Sequence, residues 1–330
     1  MKTLTIFFIF TYTLLVSAQE TFSDNRPKYK RVSEVYGFLM GQEFSINLIK
    51  EIFPSFEFKA KKAELAFNSS FGKAVLGIHE YLVELFGPIE FETFRNDLLK
   101  KIELEYENRE ISMEIAAGFI NDFEKRALGN GLSTPILETL LFFQFEEKPE
   151  LEFMQGFTQT FKTKGHPKAK GSDWQIKVPS SWKVIEADRP NIIKKFISDY
   201  GSGEESIMIM TQDLELPKDY KVSKEEINEL FSEKEVIKMT PKGAKFISFN
   251  KVTIDNYSGG VMEVELKQTN EEDKSVMSIR MVQYMFIANG KMYLLQGTVS
   301  DDKDLASKMK KFTPLFKMVA KSIVENEQYK

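Results

Sequence analysis

The spacing of apolar residues changes once along this chain, and that change limits the fold more than any other feature. Up to about residue 162 the apolar positions recur every three or four residues, the period of a helix with one buried stripe. From about residue 172 they alternate with polar residues, the period of a strand with one buried face. Helices first and strands later predict an α+β protein: an N-terminal all-helical bundle followed by an antiparallel β-sheet domain with packed helices. Between them, Lys162 to Gly203 holds both tryptophans, Trp174 and Trp182, and one of the two histidines, His166.

The ends of the two halves follow from local signals. Residues 1–18 have the layout of a secretory signal peptide: Lys2, an apolar run from Leu4 to Val16, then Ser17 and Ala18 before Gln19. The run falls short of the ~20 residues a membrane span needs, so cleavage after Ala18 and a periplasmic or secreted protein are expected, with an uncleaved anchor as the alternative. No later segment is long and apolar enough to span, so no transmembrane segment is expected in the mature chain. Residues 19–30 read as a flexible segment, 31–162 as the helical domain, 163–171 as a basic linker and 172–330 as the sheet domain.

In the first half, Tyr36, Met40, Phe44, Leu48 and Ile52 lie four apart and predict one helix, stopped by Pro54. A second stripe runs from Phe56 through Phe67, Phe71 and Ile78 to Leu85 and ends at Gly87 and Pro88, as one long helix or two that break near Ser69 and Ser70. Phe91 to Ile102 marks the next helix, and Ile115 to Phe123 the one after, closed by Gly129. Pro135 begins another under a Ser133 or Thr134 cap, and Pro149 opens a last one carrying Phe153, Phe157 and Phe161. Single-stripe helices cannot stand alone, so these stripes face one another, which accounts for many of the 29 Phe residues.

In the second half, Trp174, Ile176 and Val178 alternate with polar residues, PSS turns the chain, and Trp182 and Val184 follow, predicting a hairpin. Ile207 to Met210 is apolar on both faces, as in an interior strand. Ser223 with Glu226 forms a capping box before a helix. Strands follow near Lys245 to Ile254 with a break at Asn250, then Val261 to Lys267, Val276 to Ile287 and Met292 to Val299. Asn289 and Gly290 make the tight turn between the last two. Leu305 to Ile323 closes the chain as a helix kinked or restarted at Pro314. Ile192, Ile193, Phe196 and Ile197 have helical spacing behind Pro190, so local pattern favours a short helix there.

This order of elements, headed by WQIKVPSSWK and RPNIIKKF, resembles the PsbP-like fold over roughly residues 172 to 325. That family includes photosystem-associated PsbP, a Ran-binding nuclear transport factor and the bacterial envelope protein DcrB. The resemblance implies a PsbP-like α/β/α sandwich in which Asn191 to Ser198 is a strand, against its own periodicity. It also implies a binding or assembly role. The mature chain, through YGFLMGQ, TKGHPKAKG and RPNII, is also similar to a group of exported bacterial proteins with no assigned activity. Neither resemblance supplies catalytic residues.

The residues themselves exclude more chemistry than they offer. Zero cysteines remove disulfides, thiolate metal sites and cysteine nucleophiles, and two histidines leave little for a zinc site. His79 opens like HExxH, but position 83 is Val. The glycine clusters at 129–131, 201–203 and 72–77 lack phosphate-loop patterns, and the acidic clusters at Asn270 to Asp273 and Asp301 to Asp304 lack calcium-loop spacing. No catalytic residue, metal ligand or cofactor is therefore assigned. A net charge of -4 argues against nucleic acid as a partner. The candidate contact residues are Lys162, Lys164, His166, Lys168 and Lys170, at every second position, where an extended chain would place all five on one side to meet an anion or acidic partner. The alternative is a solvated interdomain linker. The expected function is a noncatalytic binding or assembly protein of the bacterial cell envelope, its partner an unknown envelope protein or small ligand and its oligomeric state open. A carboxylate-based hydrolase is the competing reading.

Overall fold

A computed structural model of the chain describes residues 28–107, 110–199, 203–214, 216, 220, 222–269, 276–301 and 304–329. The expected signal peptide at 1–18, the cluster at Asn270 to Asp273 and most of the 201–203 glycine cluster lie outside the described residues. The chain divides between Glu146 and Glu147 into a helical unit and a sheet unit. The division falls before residue 162 because the segment after Glu147 packs with the sheet.

The helical unit contains α1 (Lys28–Ile52), α2 (Glu57–Phe86), α3 (Pro88–Tyr106), α4 (Met113–Ala127) and α5 (Thr134–Phe145). Lys28 to Lys30, expected to be loose, begin α1. Helix α2 is continuous through Ser69 and Ser70, about 45 Å long at ~1.5 Å per residue. It packs against all four others, burying Ala60, Ala63, Phe67, Phe71, Ala74, Ile78 and Leu82 at spacings of three and four. The buried face of α1 differs from the expected stripe. A strict spacing of four rotates about 40° per step on a helix of ~3.6 residues per turn. The buried residues are instead Val32, Val35, Tyr36, Leu39, Gln42, Ser45, Ile46 and Ile49, while Ile52 is exposed. In α4 the stripe is Ala116, Ile120, Phe123 and Ala127, and Ile115 faces outward.

The sheet unit opens with α6 (Glu150–Met154), which is much shorter than the predicted helix carrying Phe153, Phe157 and Phe161. Gly156 at φ 86 ends it, and Phe161 lies instead in β1 (Thr158–Lys162). The buried carboxylate of Glu152 holds α6 to the turn after β2 (Trp174–Pro179), accepting from Ser181 N at 2.8 Å and Ser181 Oγ at 2.7 Å. Strands β1 and β2 pair antiparallel, and β10 (Val324–Glu325) takes the other edge of β2. The expected Trp174 to Val184 hairpin is therefore not formed. With both edges of β2 occupied, β3 (Lys183–Ile185) joins a second sheet through β4 (Ile192–Ile197).

That second sheet has seven strands in the order β3-β4-β5-β9-β8-β7-β6, where β5 is Ser206–Asp213, β6 Lys245–Ile254, β7 Tyr257–Thr269, β8 Val276–Ala288 and β9 Lys291–Ser300. All its pairings are antiparallel. Strand β4 forms despite its helical spacing because β3 and β5 pair with both of its edges. The register shift in β6 lies between Phe246 and Ser248, not at Asn250. Alternation sorts the side chains between two cores. Trp174, Phe196, Ile207, Phe286, Tyr293 and Leu295 pack with α9 (Leu305–Lys321) on one face. Met262, Met281, Met285, Met292 and Leu294 pack with α7 (Lys224–Leu230) and α8 (Glu233–Lys238) on the other. The capping box of Ser223 and Glu226 starts α7 as read from the sequence. Helix α9 runs through Pro314, whose exposed flank lets the freed carbonyl face water.

Candidate functional site

The five residues of the predicted basic row do not form a row. Lys162 ends β1, and the chain then folds back through a turn at Pro167–Ala169 instead of running extended. Gly165 at φ 79 and Lys170 at φ 52 make the reversal. The loop is held from within: buried Thr163 donates through Oγ1 to Ser172 O at 3.0 Å and accepts there from Trp174 N at 3.0 Å. His166 Nδ1 accepts from Lys168 N at 3.3 Å, so the ring proton sits on Nε2, which donates to Glu186 Oε2 at 3.4 Å. Lys168 donates to Ala187 O, and Lys170 lies 3.3 Å from Asp213 Oδ2.

Two carboxylates meet this loop, Glu186 at His166 and Asp213 at Lys170. Glu186 also binds Lys194, whose hydrogen bond holds the carboxyl below its ordinary range. Asp213 binds Lys291 at 2.7 Å, and the bonds from Lys291 and then Lys170 hold its carboxyl down likewise. Only Lys162 and Lys164 of the five are exposed with no ion pair or hydrogen bond among the described residues. Segment 163–171 is a folded part of the sheet unit and not a linker between units. Its side-chain partners Glu186, Ala187 and Asp213 lie well outside the loop in sequence, which no local pattern reveals.

The helical unit holds a cavity of about 640 Å³ between α1, α2, α3 and α4. Its apolar lining includes Leu39, Met40, Phe44, Phe67, Val75, Leu76, Leu99 and Phe123. Its polar lining is Tyr36, Gln42, Glu43, Asn47, Glu64, Asn68, His79 and Arg95. Helix α1 supplies the largest share because its face passes from buried at Leu39 through half-buried at Met40 to exposed at Glu43.

Half of the polar groups are already engaged. Both oxygens of Glu64 accept from Lys50 Nζ at 3.0 Å. Arg95 lies 3.4 Å from Glu92 and hydrogen-bonds Tyr36, whose hydroxyl burial pushes above its ordinary pKa against the opposing pull of Arg95. His79 is exposed and stands edge-on to Phe91 at 4.8 Å. Gln42, only 5% exposed, accepts on Oε1 from Arg126 Nη1 at 3.0 Å. The Arg126 guanidinium rests over Phe38 and Phe119, each at 5.5 Å, and burial pushes it below its ordinary pKa. Sequence reasoning missed this cavity. The signal that could have found it is Gln42, a polar residue in register with Leu39 and Ile46 on a buried face.

Among the described residues no cluster of three or more His, Asp or Glu side chains could hold a metal ion, and no helix is long and apolar enough to cross a membrane. No protein-family model and no curated protein matches the chain. Among solved structures it is similar to the cyanobacterial PsbP (CyanoP) of Synechocystis, at 14% identity and TM-score 0.32 over 51% of this chain and 92% of that one. The Ran-binding protein Mog1p of Saccharomyces cerevisiae is 11% identical with TM-score 0.32 over 51% of this chain and 95% of its own. LpqN of Mycobacterium tuberculosis, involved in cell envelope biogenesis, is 12% identical with TM-score 0.29 over 54% and 96%. At these scores the likeness assigns neither a family nor an activity.

Proposed function

We propose that this chain is an exported, noncatalytic binding protein of the bacterial cell envelope, and that its helical unit carries a small ligand between α1 and α4. The observation that supports this reading is the cavity of about 640 Å³, which falls within the ~300–1,000 Å³ of ligand sites and joins apolar walls to a few fixed polar groups. Lys162 and Lys164, exposed on the sheet unit, are proposed as contacts for an acidic partner. The test is to purify the full chain from the envelope of its host, denature it and identify released small molecules by mass spectrometry. A compound present in near-equal amount with wild type and lost from Leu76→Glu is expected. Its absence from the wild type counts against the reading. Charge reversal at Lys162 and Lys164 should leave that compound in place and weaken capture of an acidic partner only.

A hydrolase is the second reading, because two carboxylates, Glu43 and Glu64, line the same cavity. Lys50 occupies both oxygens of Glu64, which leaves Glu43 as the one lining carboxylate without an ion pair among the described residues. If the chain hydrolyses its ligand, Glu43→Gln protein will carry the intact compound where wild type carries the product. A binding protein yields the same compound from both.

A further inference from the structure

From the polar chemistry of the α1–α4 cavity we infer the class of its ligand: an uncharged acyl compound whose ester or amide carbonyl accepts a hydrogen bond from the Gln42 side-chain amide. The inference rests on the reading of this cavity as a binding site. Arginine has only donors, so the Gln42 atom facing Arg126 Nη1 at 3.0 Å must be the oxygen, and the amide cannot flip. The nitrogen end therefore has a fixed direction, and its two hydrogens have no protein partner among the described residues. Gln42 is 95% buried, yet it lines the cavity, and its nitrogen is not among the fully enclosed unpartnered atoms. A guanidinium on the oxygen also polarises the amide and strengthens its N–H as a donor.

The charges nearby argue against an ionic head. Arg95, the one Lys or Arg in the lining, already has a carboxylate partner in Glu92, and Glu64 is paired with Lys50. Glu43 would repel a carboxylate. The unfilled demand is for a neutral acceptor, and the apolar wall of Leu39, Phe67, Leu76, Leu99 and Phe123 suits a hydrocarbon chain attached to it.

The experiment is calorimetric titration of the full chain with three probes of equal chain length, each below its micelle concentration: monolauroyl glycerol, N-lauroyl ethanolamine and the dodecyl glycerol ether, which lacks the carbonyl. The ester and the amide are expected to bind roughly 2- to 10-fold tighter than the ether, the worth of one net hydrogen bond. Gln42→Leu should make the three alike. Leu76 is 64% exposed, so Leu76→Glu keeps the fold, and it should weaken all three at least about tenfold by placing a charge in the apolar wall. Should Gln42→Leu fail to fold because Arg126 loses its acceptor, the double variant Gln42→Leu/Arg126→Met removes donor and cation together and should also make the probes alike. Equal affinities of ester and ether for wild type, a preference that survives either Gln42 variant, or binding unaffected by Leu76→Glu overturns the inference. Failure of all three probes overturns the acyl class alone, since the extraction experiment decides separately whether anything is bound.

Discussion

Single buried polar groups decide several features of this protein. Glu152 illustrates the cost of removing one partner. With Glu152→Ala the amide and hydroxyl of Ser181 lose their acceptors in a buried turn, which costs about 1–3 kcal/mol for the unsatisfied donors. Urea denaturation should show that loss, and a change below about 0.5 kcal/mol would mean water takes the place of the carboxylate. Glu325 makes a prediction with the opposite pH dependence from most carboxylates. It is fully buried at the end of β10, accepting from Gln328 N at 3.1 Å and Tyr257 Oη at 3.3 Å, and burial pushes its carboxyl above the ordinary 4.5 despite those bonds. A raised native pKa means that the folded state binds the proton more tightly than the unfolded one. The stabilisation is therefore complete below the unfolded pKa and is lost as pH rises through the folded value. Wild type should lose stability relative to Glu325→Gln as the pH is raised from below the ordinary carboxylate range to above it. A difference in urea midpoint that stays constant over that range would contradict it. Asp213 has the usual sign: Lys291 and Lys170 lower its pKa, so its contribution disappears as the solution is acidified.

At the scale of elements, local periodicity predicted what forms wherever one face is buried, and failed where pairing on two sides takes over. The segment at β4 has helical spacing, but its backbone satisfies its hydrogen bonds with β3 and β5 and its side chains are buried on both faces, so alternation has nothing to report. Phe157 and Phe161 fit the period of a helix from Pro149, but Gly156 ends that helix in a left-handed conformation and β2 takes the rest as a strand. Gly297 on β9 shows how closely α9 approaches the sheet. A Cβ there would lie 2.4 Å from the Phe316 ring, closer than carbon atoms can pack. Gly297→Ala is expected to destabilise the sheet unit by about 1–3 kcal/mol through overpacking, seen as a lower Tm. The companion variant Gly297→Ala/Phe316→Leu should recover part of that loss, and no recovery would place the clash elsewhere.

For the whole molecule, the division between Glu146 and Glu147 predicts two fragments that fold alone. Residues 22–146 should be helical by circular dichroism and 147–330 should unfold cooperatively with both tryptophans protected, Trp174 and Trp182 being buried in the sheet unit's own core. A sheet fragment begun at residue 172 should be less stable, because it lacks α6 and β1. Equal stability of the two fragments would restore residue 162 as the boundary.

The sequence by itself determined the order of helical and strand regions, most helix ends, the turn at Asn289 and Gly290 and the start of α7, because caps, glycines and periodicity act within a few residues of one another. It also determined that cysteine chemistry is excluded, since composition alone decides that. Only the tertiary structure decided that Trp174 and Val184 belong to different sheets, that His166 meets Glu186, Lys168 the Ala187 carbonyl and Lys170 Asp213 while Lys162 and Lys164 face solvent, and that Gln42 lies at a cavity wall. Each of these depends on groups brought together from distant parts of the chain, and a pairwise contact between Lys170 and Asp213 or Gln42 and Arg126 leaves no trace in the spacing of either residue's neighbours.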